Sequence, residues 1–143
     1  MIVLDTNVLS ELVRPRPSAR VVDWVDRQPV GKLATTTVTE AELRFGVLRL
    51  PRGKKRQHLG AVLERLFDEL LAGRVLPFDR GAAKAYAAIA SQLRSTGEPR
   101  PQLDLQIAAI THHAEAALAT RNLADFRGCG LDLIDPWNAS DGD

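Results

Sequence analysis

Cysteine is almost missing from this chain: Cys129 stands alone among 143 residues, so no internal disulfide can form. A reducing cytoplasm is the economical expectation for such a composition. Long apolar runs are missing as well. No stretch approaches the ~20 residues that a membrane span requires. The N-terminus has no basic region followed by an apolar core, so no secretory signal is expected, and the first apolar run begins too early to leave room for a leader. Neither sign of charge prevails. The 19 basic and 18 acidic residues leave a net charge of +1, which neither demands nor excludes a nucleic-acid partner. Zinc spacing is absent too: His112 and His113 are adjacent rather than one helical turn apart, and read as surface residues.

What is present suits one folded domain. The length falls within the usual range for a single unit. The 45% hydrophobic content is ordinary for a globular protein and sufficient for a core without staples. Short apolar runs of strand type alternate with helical patterns. Ile2-Val3-Leu4, Leu33-Ala34-Thr35, Val75-Leu76-Pro77-Phe78, Ala116 to Thr120 and Leu131 to Ile134 are the strand candidates. Between them, Val8, Leu9, Leu12 and Val13 recur at helical spacing, as do Leu59, Val62, Leu63, Leu66, Phe67 and Leu70 on a helix ending near Gly73. Ser18 and Asp79 are placed to cap helices. Inward positions of the helix after Asp79 are expected at Ala83, Tyr86, Ile89, Ala90 and Leu93. A further helix is expected from about Leu103 to His113. This alternation predicts an α/β fold with a short, mainly parallel sheet flanked by helices. One domain over 1–137 with a polar tail at 138–143 accounts for the whole chain.

Acidic residues mark the edge of that sheet. Asp5 directly follows the first strand, and in open α/β sheets ligands bind at the carboxyl ends of strands. An Asp before a helix is also an ordinary N-cap, so Asp5 alone decides nothing. The helix after the second strand carries Glu40 and Glu42. Thr37 and Glu40 have capping-box spacing. Taking Val38, Phe45 and Leu48 as the inward side places Glu42 on that side and Glu40 far around the helix. Asp104 opens a later helix, three and four residues before Ile107 and Ala108, as an N-cap or as a carboxylate bordering the inward face. Asn122 and Asp125 lie just past the strand that ends at Thr120. A turn residue and a short-range cap are their ordinary readings. Clustered carboxylates repel unless a cation neutralises them. Hard divalent cations prefer oxygen ligands, and Mg²⁺ commonly takes one or two carboxylates. Separately, Arg49, Arg52, Lys54, Lys55 and Arg56 form a basic run, either a solvated loop or a grip for phosphates.

Five segments in order then carry a resemblance: MIVLDTNVLSEL at 1–12, TTTVTEAELRFGVLRLPRGKKR at 35–56, DLQIAAI at 104–110, LATRNLADF at 118–126 and LDLIDPW at 131–137. The chain resembles the PIN-domain ribonucleases, specifically the VapC-like and FitB-like toxins of toxin–antitoxin pairs. The resemblance implies a three-layer PIN-like fold and a Mg²⁺-dependent endoribonuclease, with Mn²⁺ as an alternative metal. Asp5, Glu42 and Asp104 match the first three acidic positions of that family's site. The fourth carries Asn122 where some relatives have Asp, with Asp125 three residues on, and either can support a second metal position. The resemblance also implies a VapB-like antitoxin, homodimerisation and RNA held along 49–56. Under this reading Asp5 and Asp104 hold the metal, Glu42 handles the attacking water, and Asn122 and Asp125 complete the outer site. Thr6 is placed to steer Asp5. One rival, a phosphatase of the haloacid-dehalogenase kind, wants an acid where Asn7 stands. Another, a receiver-like domain, wants a Lys after a late strand, where this chain has Thr120-Arg121-Asn122. A third is a non-catalytic RNA-binding module on the same fold.

Overall fold

The computed structural model describes residues 1–29 and 31–139. Val30 and the end of the expected polar tail, 140–143, lie outside the described residues. Five strands form one sheet: β1 (Ile2–Leu4), β2 (Leu33–Thr36), β3 (Val75–Leu76), β4 (Ala117–Ala119) and β5 (Leu133–Ile134). Their spatial order is β3-β2-β1-β4-β5, and every pairing is parallel. The expected mainly parallel sheet is therefore wholly parallel. Helices α1 (Thr6–Leu12), α2 (Ala19–Arg27), α3 (Thr37–Leu48), α4 (Lys54–Arg65), α5 (Arg80–Ser95), α6 (Gln102–His113) and α7 (Leu123–Phe126) connect them.

The pleat of β1 builds two cores. Successive side chains of a strand point to opposite faces. Ile2 and Leu4 enter one cluster with Val8, Leu9, Trp24, Leu63 and Phe67. Val3 enters the other with Ile89, Leu93, Ile107, Leu118 and Phe126. Helices thus cover both sheet faces, which gives the three layers. Cys129 is free and buried in the second cluster. Among the described residues, no helix is long and apolar enough to cross a membrane.

Several local expectations change. α4 starts at Lys54, not near Leu59, so Lys54, Lys55 and Arg56 form its first turn instead of a loop. Its continuation, Leu66–Leu70, is π-helical, and the Leu71 N–H donates to the Leu66 carbonyl at 3.1 Å. The wider turn keeps Leu63, Phe67 and Leu71 on one buried line, so Leu71 replaces Leu70 as the fully buried residue. In α5, Ala82 is buried where Ala83 was expected. At α3, Thr36 is the N-cap and accepts from the Thr39 N–H, so the Thr37–Glu40 box does not form. Glu40 instead pairs with Arg44 at 2.8 Å, and Arg44 also bonds Glu64 on α4. Those two carboxylates raise the Arg44 pKa above the ordinary guanidinium value.

α3 also presents a different face to the core. Thr39 and Leu43 are buried, while Phe45 and Leu48 are each 62% exposed. Val38, Ala41, Glu42 and Phe45 line an open groove with Leu103 of α6. The phase that separates Glu42 from Glu40 is correct, but Glu42's side of the helix faces a groove and a cleft. Leu43 and Thr39 are the buried residues of α3, with Val47 and Val38 partly buried against the two cores.

Candidate active site

β1 is central, and the chain steps from it to β2 and β3 on one side, then to β4 and β5 on the other. The order reverses between β1 and β4, which is where open α/β sheets form their ligand crevice. A cleft of about 510 Å³ opens there, lined by Asp5, Thr6, Asn7, Glu42, Asp104 and Asn122, among others. Four of these residues were expected at one edge, and the structure brings them to one cavity.

Asp5 is 4% exposed and caps α1, with its Oδ1 accepting from the Thr6 N–H at 2.8 Å. Its other oxygen is not free. Oδ2 accepts from the Thr120 hydroxyl at 2.7 Å and from Asn7 Nδ2 at 3.4 Å. Burial pushes the Asp5 carboxyl above the usual carboxylate range. The Thr120 and Thr6 hydrogen bonds oppose that, and the charges of Glu42 and Asp125 add to it.

Thr6 does not steer Asp5 with its side chain. The Thr6 hydroxyl donates to Glu42 Oε1 at 2.9 Å and lies 3.1 Å from the Thr39 hydroxyl. α1 and α3 are therefore stitched together at the carboxylate that the helical phase singled out.

Asp104 lines the cleft from the first turn of α6, but it is no cap. Pro101 occupies the N-cap position, with no side-chain bond. Asp104 is the third residue of the helix, past the cap position, and faces the cleft. Burial, then the charges of Asp5, Asp125 and Glu42, push the Asp104 carboxyl up to about 6.

Asn122 is exposed on the cleft wall and makes no side-chain cap for α7, although its N–H donates to the Thr120 hydroxyl at 3.1 Å. Asp125 sits in α7 and acts on Asp5 and Asp104 through its charge without lining the cleft. Arg49, Arg52, Lys54, Lys55 and Arg56 do not line it either. The cations on its wall are Arg14 and Arg121.

The sequence reading missed Thr120, Asn7 and Glu11. Thr120 is fully buried. Its hydroxyl donates to Asp5 and accepts from Asn7 Nδ2 at 3.3 Å and from the Asn122 N–H. Asn7 Oδ1 in turn accepts from the Arg121 N–H at 3.2 Å. Glu11 is buried and accepts from Arg14 at 3.3 Å and from the Ser18 N–H at 3.3 Å. A threonine ending a strand, directly before an expected site residue, was the available signal for Thr120.

The donor set suits a hard cation. Asp5 and Asp104 are oxygen donors whose pKa values are raised by burial first and by neighbouring carboxylates second. Each carboxylate oxygen has two lone pairs, so the bonds at Asp5 leave acceptor capacity. Among the described residues no three His, Cys, Asp or Glu side chains are gathered as a ready-made cage.

An open parallel sheet with an acidic cleft at its switch point defines a class of α/β protein, and sequence comparison narrows it. The PIN-domain family profile matches residues 2–127, and the chain belongs to that family. It is 42% identical over 137 residues to the VapC ribonuclease Y4jK of Sinorhizobium fredii, covering 96% of this chain and 98% of the relative. It is 40% identical over 138 residues to Toxin FitB of Neisseria gonorrhoeae, covering 96% and 99%. The crystal structure of FitAcB from Neisseria gonorrhoeae superposes with a TM-score of 0.90 at 40% identity, covering 97% of this chain and 100% of that one.

Proposed function

We propose that this protein is a metal-dependent endoribonuclease, the toxin of a toxin–antitoxin pair, acting in the cytoplasm as a single PIN domain over 1–137. The observation that carries the reading is the convergence of Asp5, Glu42, Asp104 and Asn122 on one cleft at the switch point. Relatives named as a ribonuclease and a toxin, each matched over nearly its whole length, support it. The toxin reading brings a neutralising VapB-like antitoxin as partner, and a homodimer as the assembly.

In this mechanism Asp5 and Asp104 hold Mg²⁺ or Mn²⁺, with Asn122 and Asp125 supporting the outer part of the site. When bound, the ion lowers the pKa of water and offsets charge on the phosphodiester. Thr6 fixes Glu42 through Oε1, and Oε2 has no hydrogen bond from the described residues. Glu42 thereby orients the attacking water and takes its proton. The water oxygen bonds to phosphorus as the bond to the 3′ oxygen breaks, and the departing 3′ oxygen takes a proton from solvent, leaving a 5′-phosphate and a 3′-hydroxyl. Thr120 and Asn7 hold Asp5 so that the carboxylate need not reorganise. The basic run 49–56 lies off the cleft and serves the more distant RNA backbone.

Incubating RNA with the antitoxin-free protein tests this. Cleavage that requires Mg²⁺ or Mn²⁺ and stops with EDTA supports the reading, and EDTA-insensitive cleavage refutes the metal role. Absence of cleavage with either metal removes the activity.

A further inference from the structure

The cleft carries a wall that the acidic chemistry does not use. Arg121 lies with its guanidinium carbon 4.9 Å from the centre of the Trp137 ring, and both residues line the cleft beside Asp5 and Asn122. Both are pinned. The Arg121 backbone N–H donates to Asn7 Oδ1 at 3.2 Å. The Trp137 N–H donates to Asp135 Oδ1 at 2.9 Å, and its carbonyl accepts from Arg20 at 3.3 Å. Arg121 also directly follows Thr120, the residue that holds Asp5.

We propose that Arg121 and Trp137 form the subsite for the nucleotide next to the scissile phosphate, Arg121 taking a backbone phosphate and Trp137 stacking on an unpaired base. The inference rests on the ribonuclease reading and deepens it. An acidic cleft repels a polyanion, so binding there needs a cation on the wall. Arg121 supplies one without touching the carboxylates that would neutralise it. An aromatic ring with a stacked guanidinium is the surface that single-stranded nucleic acid uses, because every base has a π-face. Arg14, the other cation of the cleft, is held at 3.3 Å by the buried Glu11 and is partly neutralised by it. Arg121 has no carboxylate partner among the described residues. The subsite favours unpaired over duplex RNA, since a stacked base in a helix cannot present its face.

The test measures binding of a short single-stranded RNA to the full-length protein carrying Asp5→Asn, so that the RNA persists, across a range of salt. Arg121→Ala, on an exposed side chain, is expected to weaken binding and to lower the slope of log K against log salt by about 0.7. Trp137→Ala is expected to raise Kd roughly five- to a hundredfold with the salt slope unchanged. Trp137→Phe, which keeps a π-face and part of the packing against the core, is expected to retain most of the affinity. With the site acids intact, Arg121→Ala and Trp137→Phe are compared for KM and kcat, and Arg121→Ala is expected to raise KM more than it lowers kcat. Unchanged RNA affinity and salt slope in Arg121→Ala overturn the subsite. So does weaker binding of a protein partner with RNA binding intact. RNA cleavage by the unsubstituted protein alongside either result leaves the ribonuclease reading standing, whereas no cleavage and no RNA binding removes both.

Discussion

The Thr120 hydroxyl donates to Asp5 Oδ2 at 2.7 Å, and this buried bond ties the end of β4 to the end of β1. Those two strands flank the sheet's switch point, so one hydroxyl fixes the geometry of the proposed site. It also accepts from Asn7 and from the Asn122 N–H. Thr120→Val keeps the shape and removes all three bonds. It is expected to cost about 1–3 kcal/mol in a urea melt, because buried polar groups lose their partner. Cleavage is expected to fall about 10- to 100-fold, the usual effect of losing a group that orients a metal ligand. Thr120→Ser is expected to recover most of both.

Thr6 supports a different carboxylate. Its hydroxyl holds Glu42 Oε1 at 2.9 Å. Thr6→Ala frees Glu42 to rotate, so kcat is expected to fall about tenfold or more while KM changes little. Thr6→Ser is expected to restore kcat. An equal loss in both variants would assign Thr6 to packing alone.

Asp104 gives the fold a pH dependence. Its carboxyl is pushed from the usual 3.8 up to about 6. Between those values the folded protein holds a proton that the unfolded chain has released. The contribution to stability is thus present below about 4 and is lost as pH rises through about 6. Discounted for the exposed part of the side chain, the loss is about 1 kcal/mol. Asp104→Asn is expected to melt higher than the unsubstituted protein at about pH 8, with the gap closing near pH 4. Mn²⁺ is expected to raise the melting temperature of the unsubstituted protein at the higher pH and to do little at the lower. Thermal melts across pH, with and without the ion, measure both.

Much of this site was legible before the structure. Asp5 follows from strand-then-helix patterning, and Glu42 from helical phase. Phase is relative, however, and does not say which face is inward. Phe45 and Leu48 looked like core residues because they are apolar, yet both point outward and Leu43 fills the space instead. The hydrogen bonds that place Asp5 were not legible either. The bond from Thr120 joins residues 115 positions apart, and a threonine at a strand end has many uses. Asp104 read equally well as a cap until Pro101 was seen at that position. The basic run read as a solvated loop or a phosphate grip, because a cluster of like charges is usually solvated, and its part from Lys54 proved to be helical.

The corrected face of α3 has a direct test. Leu43→Ala is expected to cost about 2–5 kcal/mol by opening a cavity in the first core cluster. Phe45→Ala is expected to stay within about 0.5 kcal/mol of the unsubstituted protein. Denaturant melts of the two variants separate the faces.

The central claim is that Asp5 belongs to a metal-dependent catalytic site as well as capping a helix. Mapping of RNA ends after incubation with the antitoxin-free protein, with Asp5→Asn in parallel and circular dichroism showing both folded, tests it most directly. The account predicts new 5′-phosphate ends that require Mg²⁺ or Mn²⁺ and vanish in Asp5→Asn. Undiminished cleavage by the folded Asp5→Asn protein would contradict it.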